Sequence, residues 1–190
     1  MTLMPEWHQH LCEAVGWIQT RYQHIGRKTG APFLAVVYPP EIEEEVFREW
    51  DAQIKCLNSE FQVKDLDLLE ITRAATDDIG LDTVLETLND PAPGSNPELE
   101  LANLWLTKIA EEIENAFRGM HVDKPVVVLK SMAALYPVTG PQMVMQRLWD
   151  TEQESLEHPV VLLIPGTLTE PRRYLFLNVK DEYMYRGDIL

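Results

Sequence analysis

Cysteine, basic residues and long apolar runs are all scarce in this sequence, and each scarcity removes a class of protein. Only Cys12 and Cys56 occur among 190 residues. They show neither zinc-ligand spacing nor the disulfide framework of a secreted domain, so a reducing compartment is expected. Lys and Arg number 16 against 31 Asp and Glu, which gives a net charge of -15. Nucleic-acid affinity comes mainly from cationic side chains that displace condensed counterions, so direct binding to DNA or RNA is not expected. No apolar stretch reaches the roughly 18 to 20 residues of a membrane span. Glu6, His8, His10 and Glu13 stand where a signal peptide would need a basic start and an apolar run. A cytoplasmic location without membrane contact is the expectation.

What is present is enough apolar content, 45% of the chain, to fill the core of one domain of this size. The whole chain, residues 1–190, is therefore read as a single α/β domain. Leu11, Val15, Ile18 and Tyr22 recur at helical steps, which predicts a helix from Pro5 that ends near Gly26. Residues 32–38 form a short apolar run stopped by Pro39 and Pro40, as a buried strand would be. Ile42, Val46, Trp50 and Ile54 then mark a second helix over residues 41–57. Residues 61–67 give a weak strand signal, and residues 68–88 read as helical with an interruption around 77–80. The turn-rich stretch 89–97 is an exposed loop. Leu99, Leu106, Ile109, Ile113 and Phe117 fall largely on one face and place the next helix before Gly119.

Two further strands are predicted at 125–130 and 158–166, with a helix over 142–149 between them and a last strand at 174–178. Strands apolar on both faces and separated by amphipathic helices predict a mostly parallel sheet covered by helices on both faces. The fold class is thus a three-layer α/β/α sandwich, resembling the layout of P-loop nucleotide hydrolases without the P-loop.

The loops after the strands are where such folds carry chemistry. The first reads Tyr38-Pro39-Pro40-Glu41-Ile42. Its two prolines remove N–H donors, and Glu41 with Glu43, Glu44 and Glu45 would repel a triphosphate. The strand ending at Lys130 supplies that Lys and Ser131 where a magnesium-dependent ATPase would place carboxylates. Leu135 and Tyr136, which follow, are read as covering the sheet edge. His8 and His10 point apart on a helix, His24 and His121 stand alone, and His158 sits at a strand entrance, so structural or solvated roles are expected. Ser131 lacks a nucleophile elbow, and neither cysteine lies in a nucleophile motif. No catalytic residue, metal ligand or cofactor site is assigned, and the chain is expected not to be an enzyme. The rival class is a nucleotide-binding or degenerate hydrolase-like regulator. A third reading, DNA contact, would need Arg147, Arg172, Arg173 and Arg186 to gather on one face.

The acidic runs 41–45 and 111–114 are read first as solvated helix faces and otherwise as footing for a basic partner. Trp7 either anchors a protein contact or packs under the domain's own edge. The closing segment 180–190 concentrates Tyr183, Met184, Tyr185 and Arg186, types enriched at binding hot spots. They either form a partner interface or close the sheet edge.

The C-terminal half carries a Val-rich strand followed by Ala134-Leu135-Tyr136-Pro137, then a helix to Leu148. After it come the strand 159–164 with Pro165-Gly166-Thr167, Leu175-Phe176-Leu177, and Lys180-Asp181-Glu182-Tyr183-Met184-Tyr185-Arg186. In this order the segments resemble the BrxB family of BREX bacteriophage-exclusion systems, over roughly residues 125–190. The resemblance implies a non-catalytic adapter subunit of an antiviral defence complex. Its protein partners would be a PglZ-like protein, an AAA+ ATPase and a DNA methyltransferase.

Overall fold

A computed structural model describes residues 5–152 and 156–190. Helix α1, Glu6–Arg21, buries Leu11, Ala14, Val15 and Ile18 along one stripe. It stops short of the expected Gly26 because the chain there breaks into two short 3-10 turns, with Gly26 itself at φ 66. Every residue of β1, Phe33–Tyr38, is buried. A 3-10 turn at Pro40–Ile42 leads into α2, Glu43–Gln53, whose buried residues are Val46 and Trp50.

Strand β2, Phe61–Asp67, alternates in exposure as an edge strand should. Helices α3, Leu68–Ile79, and α4, Leu81–Asn89, are separated at Gly80, whose φ of 99 no continuing helix can accept. Beyond the exposed loop, the Asn96 side chain caps α5, Pro97–Gly119, by accepting from the Leu99 N–H at 3.2 Å. Strand β3, Lys124–Lys130, and helix α6, Pro141–Glu152, complete the middle of the chain.

The C-terminal third holds more strand than the apolar pattern predicted. Strand β4, Val160–Glu170, runs past Gly166, and three short strands follow it: β5, Arg173–Phe176; β6, Lys180–Tyr183; and β7, Asp188–Ile189. The expected strand at 174–178 ends early because Leu177 and Asn178 adopt positive φ, 52 and 61, to make a tight hairpin turn. The parallel sheet has the order β2-β3-β4-β1-β7. The outer half of β4 leaves that sheet to form an antiparallel ribbon with β5 and β6.

Alternation along the strands splits the core in two. Phe33, Ala35 and Val37 pack with α3, α5 and α6, whereas Leu34, Val36 and Tyr38 pack with α1 and α2. The domain is therefore an α/β fold with a mostly parallel central sheet flanked by helices on both faces. Each fully buried Leu, Ile or Phe contributes roughly 1.5 to 3 kcal/mol of the stabilisation. No helix among the described residues is long and apolar enough to cross a membrane.

Candidate partner interface

The C-terminal ribbon is organised around a buried carboxylate. Tyr174 in β5 faces Glu182 in β6, and both side chains point into the core. Glu182 Oε2 accepts from the Tyr174 hydroxyl at 2.9 Å and from the backbone N–H of Gln142 at 2.9 Å, and Lys180 Nζ lies 3.0 Å from Oε1. A buried charge needs such partners, and here one of them is an orphan donor in the first turn of α6. Burial, with the adjoining carboxylate adding to it, pushes the Tyr174 hydroxyl far above its ordinary range. The fit is tight: a Cβ on Gly140 would stand 2.0 Å from Glu182 Oε1.

The extended chain then alternates in and out of the surface. Tyr183 is 38% exposed and Tyr185 65%, while Met184 between them is 0% exposed within the core. Met184 thus leaves the set of candidate contact residues: the pleat that turns its neighbours outward turns it inward. The two tyrosine rings lie 4.8 Å apart, and the Arg186 guanidinium stacks 3.9 Å over the Trp149 ring of α6. Tyr183, Tyr185 and Arg186 line one shallow cleft with Gln142, Gln146 and Trp149. At about 20 Å³ it is far smaller than a small-molecule site.

The platform beneath this cleft is held at many points. The Arg172 side chain donates to the carbonyls of Met184 at 2.8 Å and Gly187 at 3.1 Å. Gly187 N–H donates to Thr29 Oγ1 at 2.5 Å, and Asp188 Oδ2 accepts from Gly26 N–H at 2.8 Å. Gly187 has φ 92, and an added Cβ would meet Phe33 and Met184 at 2.6 Å. Leu190 then exchanges backbone hydrogen bonds with Ala35 and Val37. The closing segment is both sheet edge and exposed aromatic surface, so the two readings of it are compatible.

Trp7 is placed elsewhere. It is half-buried within α1, packed against the α1–α2 core, with its ring edge-on to His8 at 5.7 Å. The four arginines also have separate engagements. Arg147 donates to Asn103 and Thr107, Arg172 to the closing segment, and Arg173 pairs with Asp181 at 3.3 Å, while Arg186 lies on Trp149. The acidic run in α5 makes pairs along its own helix, Lys108 with Glu111 and Glu112, and Arg118 with Glu114.

At the carboxyl ends of the strands the polar groups are engaged with one another. Tyr38 donates to Glu43 at 2.6 Å, and Lys130 bridges Asp51 and Asp65 at 2.6 Å each. Burial alone would lower the Lys130 pKa, but the two aspartates more than offset it and the net shift is upward. Burial, reinforced by Glu43, raises that of Tyr38. Elsewhere, His8 of α1 lies 3.0 Å from Glu49 of α2, and at the amino ends of β3 and β4 His158 is 3.1 Å from the Tyr22 hydroxyl, which donates to the Pro125 carbonyl at 2.6 Å. Among the described residues no group of three His, Cys, Asp or Glu side chains is arranged to hold a metal ion.

Sequence reasoning did not bring Gln142, Gln146 and Trp149 to the closing segment. Their three- and four-residue spacing, which puts them on one face of α6, was the available signal. No protein-family model, no curated protein and no solved structure matches the chain.

Proposed function

We propose that this chain is a non-catalytic adapter subunit of a BREX-type phage-exclusion complex, and that it grips its protein partner with Tyr183, Tyr185 and the Arg186–Trp149 stack. The observation that carries the reading is an exposed pair of tyrosines beside a stacked arginine, all on a segment fixed at both ends. Aromatic and Arg side chains supply most hot-spot energy, and those already ordered lose little entropy on binding. The shallow cleft suits a protein surface better than a metabolite. The resemblance over residues 125–190 supplies the identity of the partners: a PglZ-like protein first, with an AAA+ ATPase and a methyltransferase in the same assembly.

The nucleotide-binding alternative has little to rest on. Pro39 and Pro40 remove donors from the first loop, and the only cation at the end of β3, Lys130, is held by two aspartates. A tagged pull-down from the native host at moderate salt, with mass spectrometry of the co-purifying chains, tests the proposal. Recovery of the PglZ-like protein supports it, and recovery of a clean monomer counts against it.

A further inference from the structure

Helix α4 is amphipathic but has no buried residue. Leu81, Val84, Leu85 and Leu88 recur at helical steps along one stripe. Val84 and Leu88 lean toward α5, where they line a groove of about 160 Å³ with Ile79, Pro97, Leu101 and Leu104. Leu81, Leu85, Ile79 and Leu99 remain 46% to 56% exposed around it. A group of large aliphatic side chains left this open on one small region marks an interaction surface.

The charge around the groove selects its occupant. Residues 65–107 contain ten Asp or Glu against one cation, Arg73, and Arg73 is already paired with Asp77 at 3.7 Å. Glu100 lines the groove itself, while Asp82, Glu86 and Asp90 line the adjoining hollow with Leu85. A second copy of this chain would bring a like-charged rim against it, which disfavours self-association through this face.

We propose that the α4–α5 groove receives an amphipathic helix of a protein partner, with aliphatic residues on its inner stripe and Lys or Arg on its flanks. This is helix-in-groove recognition with charge complementarity at the rim. The surface shares no residue with the tyrosine patch, so it gives the domain a second contact of different chemistry and stands independently of the first. An adapter with both could hold two chains at once.

The test uses the full chain and three labelled peptides of about 18 residues, long enough for five turns. One has a Leu stripe with Lys flanks, one the same stripe with Glu flanks, and one is a scramble of the Lys peptide. Fluorescence anisotropy should give saturable binding of the Lys-flanked helix alone, weakening about tenfold between roughly 0.05 and 0.3 M salt. Leu85→Glu should weaken it at least about tenfold with an unchanged circular-dichroism melt. The surface charge reversal Glu86→Lys, which touches no core residue, provides an independent second loss. The proposal is overturned if the Lys-flanked peptide fails to bind, if the scramble or the Glu-flanked helix binds equally well, or if both variants retain affinity. Sedimentation showing a wild-type dimer that Leu85→Glu dissolves would overturn it too, because the occupant would then be a second copy.

Discussion

The backbone N–H of Gln142 donates to Glu182 Oε2 at 2.9 Å, and the Gln142 side-chain oxygen accepts from the backbone N–H of Tyr183 at 3.2 Å. This reciprocal clasp ties the first turn of α6 to the last strand of the ribbon. It fixes Trp149, further along α6, relative to Arg186 and the two tyrosines, so the proposed contact surface is ordered before any partner arrives.

Glu182→Ala is expected to destabilise the fold by about 2 to 3 kcal/mol, because it leaves the Tyr174 hydroxyl and the Gln142 N–H buried without an acceptor. Urea titration followed by tryptophan fluorescence measures it. A change below about 0.5 kcal/mol, the level of ordinary surface substitutions, would mean that the carboxylate is not the anchor described.

Gly187→Ala is expected to unfold a substantial fraction of the protein or lower Tm by several degrees. Its backbone is left-handed and the new methyl would strike Phe33 and Met184. For related reasons a truncation after Asn178 removes Glu182, Met184 and β7 together, and is expected to give an unfolded chain. Loss of binding in that truncation would say nothing about the tyrosines, so point substitutions at Tyr185 and Arg186 are the informative ones. A truncated chain with a cooperative melt would contradict this.

Stability is expected to fall as pH rises past about 10, the unfolded-state range of Tyr and Lys. Tyr22, Tyr38, Lys130 and Tyr174 all have raised folded-state values. Above their unfolded pKa values the unfolded chain has released protons that the folded chain still holds, so the slope of stability with pH is negative there. The stabilisation is complete below pH 10 and is lost progressively above it. Melts at pH 8, 10 and 11 check the sign; a Tm that is flat or rising over that range contradicts it.

ATP or GTP with magnesium is expected to leave Tm unchanged, since a binder of the native state would raise it by mass action. A dose-dependent rise of several degrees would favour the nucleotide-binding alternative over the adapter.

The central sheet was legible because β1, β3 and the first half of β4 are apolar on both faces, a pattern few other structures produce. The helix break near Gly80 and the turn-rich loop ahead of α5 were likewise legible from local composition, whereas the Asn96 cap emerged only in the structure. Strands β6 and β7 were hidden: Lys180, Asp181 and Glu182 are three charged residues in succession, and only the neighbouring strand makes a ladder of them. The inward turn of Met184 was within reach of a period-two reading of Tyr183-Met184-Tyr185 once that segment was taken as extended. The burial of Glu182 was not, because the Tyr174 and Gln142 groups that compensate it come from elsewhere in the chain.

The most direct test is calorimetric titration of the purified chain into a PglZ-like protein, the proposed partner, for the wild type and for the double variant Tyr185→Ala, Arg186→Ala. The account predicts saturable wild-type binding and a loss of at least about 30-fold in the variant, as expected for hot-spot residues, with Tm unchanged. Equal affinities, or no wild-type binding, would contradict it.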